Sequence, residues 1–499
     1  MFHDVFYGFS VALTLQNLFF CFAGVFMGTL VGVLPGLGPV AAMSLLFGAT
    51  LHIPPVSGMI MLAGIYYGAQ YGGSTTSILL NIPGESSSVI TCLDGYQMAR
   101  KGRAGSALGI SAFGSFIGGT FSVIGLVLIA PLLANFALRF GFAEMFSLMC
   151  VGLVVVTFLA RGSMVKALMM AAFGLFLGTI GTDIIVGKSK FTFGIDTLLD
   201  GVGIIPVAMG LFGISEIISN IGQGLQKDVF KARISNLLPN LKDWKDSFWP
   251  MMRGTVVGFF LGVLPGGGAV IASFTSYGME KRLSNHPELF GTGVIQGVAG
   301  PETANNAGAT GAFVPLLTLG IPTSATMALL LGLLLTHGAQ VGPLFLKQHS
   351  DIFWGVVASM YVGNVILLVL NLPLIGLWVK ILKVPYPILS PLILLFCVIG
   401  VYSVNNDTTE VLLTIFFGVM GYFMRRFEYE PAPLLLGMIL SPMMESNFRQ
   451  ALLVSQGSFL IFVTHPISAT LLAIAAILLL YPIFPWFRFR KKLETLEER

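Results

Sequence analysis

Apolar runs long enough to cross a bilayer recur to the end of this chain, and several of them break partway along. The clearest case is Leu261–Ser324. It begins as an apolar run and stops at Pro265-Gly266-Gly267-Gly268. After a short charged loop it turns small and polar through Pro301-Glu302-Thr303-Ala304-Asn305-Asn306, and it breaks again at Ile321-Pro322. Lipid-facing backbone cannot stay unpaired in hydrocarbon, so a helix broken at membrane depth must lie inside protein or beside a watery cavity. Two breaks framing an acid, two amides and several hydroxyls are the expected form of a solute site built from discontinuous helices.

The same pattern occurs earlier in the chain. The first apolar run, Leu13–Leu34, ends in Gly32-Val33-Leu34-Pro35-Gly36-Leu37-Gly38, and Gly262-Val263-Leu264-Pro265-Gly266-Gly267-Gly268 follows it at an offset of 230. Further on, Ile82-Pro83 corresponds to Ile321-Pro322 at an offset of 239. Two matching breaks in the same order read as an internal duplication. The other apolar runs are Ala104–Leu138, Phe142–Ala160, Met164–Ile185, Gly203–Ser219, Ile352–Val379, Ile388–Val404, Val411–Met424 and Ile467–Pro485. A mixed stretch, Pro431–Val463, carries Glu445 and Arg449, and its course is left open. The expected fold is an all-α polytopic membrane protein of about twelve transmembrane segments. Its expected parts are a first repeat (1–224), a basic cytoplasmic linker (225–250), a second repeat (251–487) and a cytoplasmic tail (488–499).

Composition agrees with that class. The chain is 55% hydrophobic and 10% charged, with a mean hydropathy of +0.87, whereas soluble proteins carry roughly a quarter charged residues. A β-barrel would show short alternating segments instead of long runs. The net charge of +4 sits mostly in loops and the tail, so it reports topology and gives no reason to expect a nucleic-acid partner. Cys21, Cys92, Cys150 and Cys397 are scattered singly through apolar sequence and read as packing residues. No basic region precedes the first apolar run, which reads as a first helix and not as a removed signal peptide.

Charge also orients the halves. The loop after the first Leu-Pro-Gly break holds only His52, while its counterpart holds Lys281 and Arg282. After the second break the order reverses: Arg100, Lys101 and Arg103 in the first half, Lys347 alone in the second. Positive loops belong to the cytoplasmic side, so equivalent loops lie on opposite faces, as inverted-topology repeats require. The Lys227–Lys245 linker and Lys281-Arg282 then share the cytoplasmic side. Met251–Gly278 becomes a re-entrant hairpin turning at Pro265–Gly268, because each arm is short for a crossing of about 20 residues. By inversion, Leu18–Leu51 is the matching hairpin from outside. The N-terminus is expected outside and the basic C-terminal tail inside.

Polar residues at membrane depth form two groups, Gln70–Ser88 and Glu302–Ser324. A helix restarting after Pro83-Gly84 or Pro322 offers free N–H groups and a partial positive charge that suit a carboxylate. Hydroxyls at Ser86, Ser87, Thr323 and Ser324 sit at those restarts, where they cap a helix or donate to a ligand. Helix-terminal carbonyls with Asn and Thr oxygens suit a small cation. Any one Ser or Thr more often just bonds back to its own helix. Glu302 and Glu85 each have a plainer reading as helix caps near the surface, and Gly118-Gly119 reads as a packing surface. Glu144, Glu216 and Arg161 read as interfacial anchors. No H-E-x-x-H, G-x-S-x-G or phosphate-binding loop occurs, so the sequence points away from an enzyme and from ATP hydrolysis.

At four blocks the chain resembles a known family, the large membrane subunit of the bacterial tripartite tricarboxylate transporters. They are GVLPGLGPVAAMSLL (Gly32–Leu46), YGGSTTSILLNIPGESSS (Tyr71–Ser88), LPGGGAVIASFTSYGMEKRLS (Leu264–Ser284) and GVAGPETANNAGATGAFVPLLTLGIP (Gly297–Pro322). The chain departs at Thr323-Ser324-Ala325, where a Gly-Ser turn is the pattern. The resemblance implies an inner-membrane permease of about twelve helices, working with a small, roughly four-helix membrane subunit and a periplasmic solute-binding protein. It also implies a citrate-like or dicarboxylate anion as solute and a Na⁺ or H⁺ gradient as the driving force, with no other cofactor. On this reading the solute residues are Pro35, Gly36, Gly38, Ser74, Thr75, Asn81, Pro83, Gly84, Ser86, Ser87, Pro265, Gly266, Gly267, Asn305, Asn306, Pro322, Thr323 and Ser324. The residues expected to couple an ion are Glu302, Asn306, Thr310, Thr318 and Thr76, with no Na⁺ ligand set assigned. Alternatives are a stand-alone organic-anion permease or a passive anion channel, which cannot concentrate its solute.

Overall fold

A computed structural model describes residues 2–34, 38–160, 163–183, 186–221, 237–266, 268–381 and 386–481. They are almost entirely helical and divide into two compact units, each drawing on both halves of the sequence: Met1–Asn135 with Gly203–Phe427, and Phe136–Val202 with Glu428–Arg499. The first unit opens with α1 (Phe2–Ala12), α2 (Leu15–Val33), α3 (Pro39–Thr50), α4 (Pro55–Leu80), α5 (Thr91–Met98) and α6 (Ala104–Ala137). The second unit begins with α7 (Phe142–Leu159), α8 (Met164–Leu177) and a short antiparallel pair, β1 (Gly181–Thr182) and β2 (Ser189–Lys190). Back in the first unit come α9 (Ile204–Ala208), α10 (Ser215–Ile221), α11 (Leu241–Val263), α12 (Gly268–Leu283), α13 (Gln296–Gly311), α14 (Phe313–Leu319), α15 (Ala325–Thr336) and α16 (Phe345–Gln348). It closes with α17 (Ser350–Asn371), α18 (Ile375–Ile381), α19 (Tyr386–Asn405) and α20 (Thr408–Arg426). The second unit ends with α21 (Ala432–Val454), α22 (Ile461–Thr464) and α23 (Pro466–Leu480).

Two glycine-paired helix contacts organise the first unit. On α2, Gly24, Gly28 and Gly32 lie one turn apart and abut Met61, Ile65 and Ala69 of α4. A Cβ on any of the three would stand 2.3–2.4 Å from a carbonyl oxygen of that helix. On α11, Gly254, Gly258 and Gly262 meet Gly300, Ala304 and Gly308 of α13 in the same way, at 2.6, 2.4 and 2.2 Å. Both glycine rows repeat at the offset of 230 that relates Pro35 to Pro265. Without a hydrophobic drive between helices in lipid, such backbone-to-backbone approach is what holds them together. Gly118 of α6 closes against Thr303, as its packing reading anticipated, while Gly119 meets Asn364 of α17.

Several sequence expectations need adjusting. The run Met164–Ile185 is not one helix: α8 stops at Leu177, and a left-handed Gly181 opens the β1–β2 pair. Pro431–Val463 is mostly the single helix α21, whose Glu445 and Arg449 form an ion-pair cluster with Asp183 and Lys190. Residues 225–236 of the linker lie outside the described residues, and from Leu241 its last part belongs to α11, which Asn240 caps. Glu144 caps α7 through Gly141 and meets His465 Nδ1 at 2.7 Å. Glu216 is ion-paired with Arg425, and Arg161 lies outside the described residues. The four cysteines are free thiols.

Among the described residues, four helical stretches are long and apolar enough to cross a membrane: Leu15–Val33, Thr91–Ala137, Phe142–Leu159 and Ser350–Asn371. Shorter apolar helices, including Pro39–Thr50 and Ala325–Thr336, accompany them. The 34 residues of α6 exceed a single crossing of about 20 residues.

The glycine rows make a direct prediction. Gly28→Val and Gly258→Val each push two backbones apart and should cost at least about 1–3 kcal/mol, the usual penalty for overpacking. Thermal unfolding of the detergent-solubilised protein should drop clearly for both. Gly278→Ala, where a Cβ meets nothing within 4 Å, should leave it unchanged; equal behaviour of all three would remove the packing role.

Candidate functional site

The site grows from two helix breaks. Helix α4 ends at Asn81, a non-glycine residue in the left-handed region (φ 56°), and Ile82-Pro83-Gly84 follows. Helix α14 ends at Gly320, also left-handed (φ 71°), and Ile321-Pro322-Thr323 follows. Asn81 and Gly320 stand at the offset of 239 that relates the two prolines. Glycine takes this conformation freely and Asn is among the few others that tolerate it.

What comes after the breaks differs. At the second, Ser324 caps α15, its hydroxyl accepting from Met327 N at 3.3 Å, as its position suggested. At the first, the cap is Glu85 and neither Ser86 nor Ser87. The Glu85 carboxylate accepts from Ser87 N at 3.1 Å and opens a short 3₁₀ turn, Ser86–Val89, before α5. The cap reading of Glu85 is therefore right, but the residue is buried, not superficial. Gly84 is required there, because a Cβ on it would lie 2.4 Å from Gly73 Cα and 2.5 Å from Gly32 O.

The hairpin tips lie beside these breaks. Gly266, left-handed between α11 and α12, donates its N–H to the carbonyl of Thr323 at 2.8 Å. Pro265 beside it is half-buried, and Pro322 is buried. Gly38 caps α3 from extended backbone. Pro35, Gly36 and Gly267 lie outside the described residues.

Between the breaks runs a buried polar network that joins α4, the 3₁₀ turn, α5, α6, α12 and α13. Glu302 sits in mid-helix on α13 with no exposed surface, so it is not a surface cap. Ser74 donates to its Oε2 at 2.5 Å, and Thr91 donates to Oε1. Glu85 is met by the Ser87 hydroxyl and by Asn305 Nδ2 at 3.3 Å, and, with the Gln70 amide turned to satisfy its neighbours, by the Gln70 nitrogen at 2.7 Å. Asn305 Oδ1 accepts from that same Gln70 nitrogen at 2.9 Å. Ser77 and Ser88 pair at 3.0 Å, and Ser273 Oγ lies 2.9 Å from the Ser87 carbonyl. Asn306 donates to Ser115 Oγ at 2.7 Å and to the Glu302 carbonyl at 3.1 Å, while its Oδ1 has no partner.

Ser74, Ser87, Asn305, Asn306 and Glu302 are thus brought together. Asn81 and Ser86 are exposed at the first break, and Thr75 is buried near the network. Thr76 bonds the Val33 carbonyl at 3.1 Å across to α2. Thr318 bonds back to Val314 on its own helix at 2.7 Å, apart from the network, and Thr310 is buried. Gln70, Glu85, Thr91, Ser115 and Ser273 were missing from the expected set. The first two lie inside or beside a polar block that sequence marks. Ser115 stands in an apolar helix where nothing in the sequence marks it out, and Ser273 lies within the Leu264–Ser284 block without being singled out there.

A second buried carboxylate cluster is structural. Asp94 of α5 accepts from the N–H groups of Gly291 (3.0 Å), Gly293 (2.7 Å) and Val294 (2.9 Å), and from Tyr277 OH at 2.9 Å. It fastens the loop that leads into α13. Among the described residues no group of three or more His, Cys, Asp or Glu side chains is placed to hold a metal.

Helices broken beside a buried acid-and-amide network, among helices apolar enough to cross a membrane, are the arrangement of a membrane transporter. The model of the Tripartite tricarboxylate transporter TctA family matches residues 18–436, and the chain belongs to that family as a permease. It is 50% identical over 491 residues, 98% of each chain, to the "Uncharacterized 52.8 kDa protein in TAR-I ttuC' 3'region" of Agrobacterium vitis. It is 49% identical over 234 residues to the "Uncharacterized protein in TAR-II ttuC' 3'region" of the same organism, covering 47% of this chain and 97% of that one. No solved structure matches it.

Asp94→Asn keeps one acceptor oxygen for the three N–H donors but removes the charge and turns an N–H toward the Tyr277 hydroxyl and Gly291 N–H that the second oxygen receives. Each lost bond to a charged acceptor is worth about 1.5–3 kcal/mol. Hydrogen exchange at Gly291–Val294 should accelerate strongly in this variant while the α2–α4 pair stays protected. Unaltered exchange there would show that Asp94 does not hold the loop.

Proposed function

We propose that this chain is the membrane permease of a binding-protein-dependent, cation-coupled importer of citrate-like tricarboxylates or dicarboxylates. The observation that carries this reading is the pair of left-handed helix ends, Asn81 and Gly320, each followed by Ile-Pro, with the buried network of Glu85 and Glu302 beside the first and the Gly266 N–H tied to the Thr323 carbonyl at the second. Paired half-helices around a shared centre are the architecture by which secondary transporters hold an anion on helix N-termini and an ion on carbonyls and side chains. The exposed Asn81 and Ser86 stand where an arriving solute meets the first break, and the N-terminal N–H groups of α15 serve a carboxylate at the second. Thr323 and Ser324 flank that terminus. Glu302 and Asn306, with Thr76, Thr310 and Thr318 on neighbouring turns, are the ion-coupling side.

The glycine rows on α2 and α11 support the inverted repeat (1–224 and 251–487, joined by the linker 225–250 and followed by the tail 488–499). The hairpins α2–α3 and α11–α12 are its re-entrant pairs, in a fold of about twelve segments. The carrier works in the bacterial inner membrane with its N-terminus periplasmic and its C-terminus cytoplasmic. A small, roughly four-helix subunit and a periplasmic binding protein serve it. Leu18–Ser88 with Met251–Ser324 moves as a largely rigid core, and small-residue contacts such as Gly118 on Thr303 let α6 pass close by.

Uptake of radiolabelled citrate and succinate into proteoliposomes holding the permease, its small subunit and its binding protein tests the reading. Accumulation under an imposed Na⁺ or H⁺ gradient is expected; simple equilibration would mean a channel. Thr323→Ala with Ser324→Ala should raise the half-saturating solute concentration, since each neutral hydrogen bond is worth about 0.5–1.5 kcal/mol. An unchanged value would move the solute elsewhere.

Topology is tested by labelling. Lys242 and Lys281 are both exposed, at the start of α11 and the end of α12. Single cysteines at these positions, in a background without Cys21, Cys92, Cys150 and Cys397, should both resist an impermeant thiol reagent added from the periplasmic side. Labelling at position 281 alone would rule out the re-entrant hairpin.

A further inference from the structure

The two buried carboxylates of the network have partners of different kinds. Glu85 is held mainly by N–H donors: the Ser87 backbone, Asn305 Nδ2 and the Gln70 amide. An N–H can donate but not accept, so three such partners favour the ionised carboxylate over the acid. Glu302 is held by hydroxyls alone, Ser74 and Thr91. A hydroxyl both donates and accepts, so it serves a carboxylate or a carboxylic acid equally. Ser74 also has a second acceptor in reach, the Gln70 carbonyl at 3.3 Å, to which its proton turns when Glu302 becomes the donor.

Resting on the transport reading above, we infer that Glu302 takes up and releases the coupling ion as a proton, while Glu85 stays a fixed anion beside it. The step is a simple protonation: one H⁺ binds a Glu302 oxygen, the acid donates to Ser74 Oγ, and the Ser74 proton rotates to the Gln70 carbonyl. Release reverses each move. A Na⁺ ion at Glu302 fits less well, because its oxygens already touch those of Ser74 and Thr91 at hydrogen-bonding distance and an ion between them would force them apart.

No Lys, Arg or His contacts either carboxylate among the described residues. Facing Glu302 are Glu85 from the first break, Tyr71 one turn before Ser74 on α4, and Cys92 beside Thr91 on α5. On the other helices packed against α13, Arg253 of α11 and Glu280 of α12 are paired with each other, and Asp94 of α5 is taken up by its loop and Tyr277 of α12. Tyr71 OH and Asn306 Oδ1, both buried and without partners, lie one helical turn from Ser74 and Glu302 respectively. They are polar atoms left over for a water that would carry the proton to Glu302. Coupling follows from charge. A proton on Glu302 removes one of two negative charges facing an anionic solute, so solute and proton each favour the other's binding, as linkage requires.

Two measurements decide this. In infrared difference spectra of the purified permease, a carboxylic-acid C=O band should appear on acidification. It should vanish in Glu302→Gln, persist shifted in Glu302→Asp, and persist in Glu85→Gln. In proteoliposomes with both partners, the wild type should take up protons together with citrate or succinate, and Glu302→Gln should lose solute-linked proton uptake, with Glu302→Asp restoring part of it. A band that survives in Glu302→Gln or is lost in Glu85→Gln would overturn the assignment. So would wild-type accumulation that follows a Na⁺ gradient with no proton movement. If no solute moves under any gradient, the transport reading falls, and the infrared band alone then decides whether Glu302 is the proton site.

Discussion

A helix that stops inside a membrane protein leaves backbone carbonyls and N–H groups without intrahelical partners, and hydrocarbon offers them none. Here that constraint is met by bringing other backbones very close. Gly32, Gly73 and Gly84 converge so tightly that none tolerates a Cβ, and the first break rests against them. The second is tied by the Gly266 N–H to the Thr323 carbonyl. Both depend on glycine rows one turn apart on α2 and α11, since any larger residue there would separate the helices that carry the breaks. The glycines set the spacing at which a broken helix can be packed.

That spacing also allows charge to be buried. Glu302 and Glu85 lie in a region with no cationic side chain in contact among the described residues. A buried carboxylate without a counter-charge is costly, and one-sided networks of this kind persist in membranes where the charge is used. Contrast Glu280 and Asp94, equally buried on neighbouring helices. The first is gripped in bidentate fashion by Arg253, and the second is saturated by three N–H groups and a phenol. Those two are fasteners. Burial alone does not separate a working acid from a structural one; the identity of its donors does.

Sequence revealed the breaks and not the network. Proline and glycine mark a stop only in some places: Pro83 and Pro322 stood out and proved to follow left-handed helix ends, while Pro301 and the glycines of α2 lie inside continuous helices. The acid on α13 was visible because Glu302 is rare in its surroundings. Thr318 looked equally suitable, yet it only returns a hydrogen bond to Val314, since a hydroxyl on a helix always has that option. Ser115 was invisible for the opposite reason: it lies in a glycine-rich apolar helix and becomes polar surroundings for Asn306 only through tertiary packing. Helix α8 was overrun because isolated apolar residues such as Ile180 and Ile184-Ile185 continue past Leu177, where the helix stops and Gly181 turns the chain into the β1–β2 pair.

The two breaks share a backbone turn and differ in their caps. The first break puts Asn81 in the left-handed position and Glu85 at the cap, so its restart is short, acidic and bent into a 3₁₀ turn. The second puts Gly320 and Ser324 there, and its restart is a straight helix of 12 residues with a neutral cap. An acidic cap consumes the N–H groups of its own turn, which leaves less positive potential for an incoming anion. A neutral hydroxyl cap on a longer helix leaves more of it. The first break therefore presents side-chain amides and hydroxyls around a buried acid, while the second presents the backbone N–H groups of a longer helix. With Glu85 in the first cap and neutral Ser324 in the second, the positive potential of a helix start is left freer at the second break than at the first.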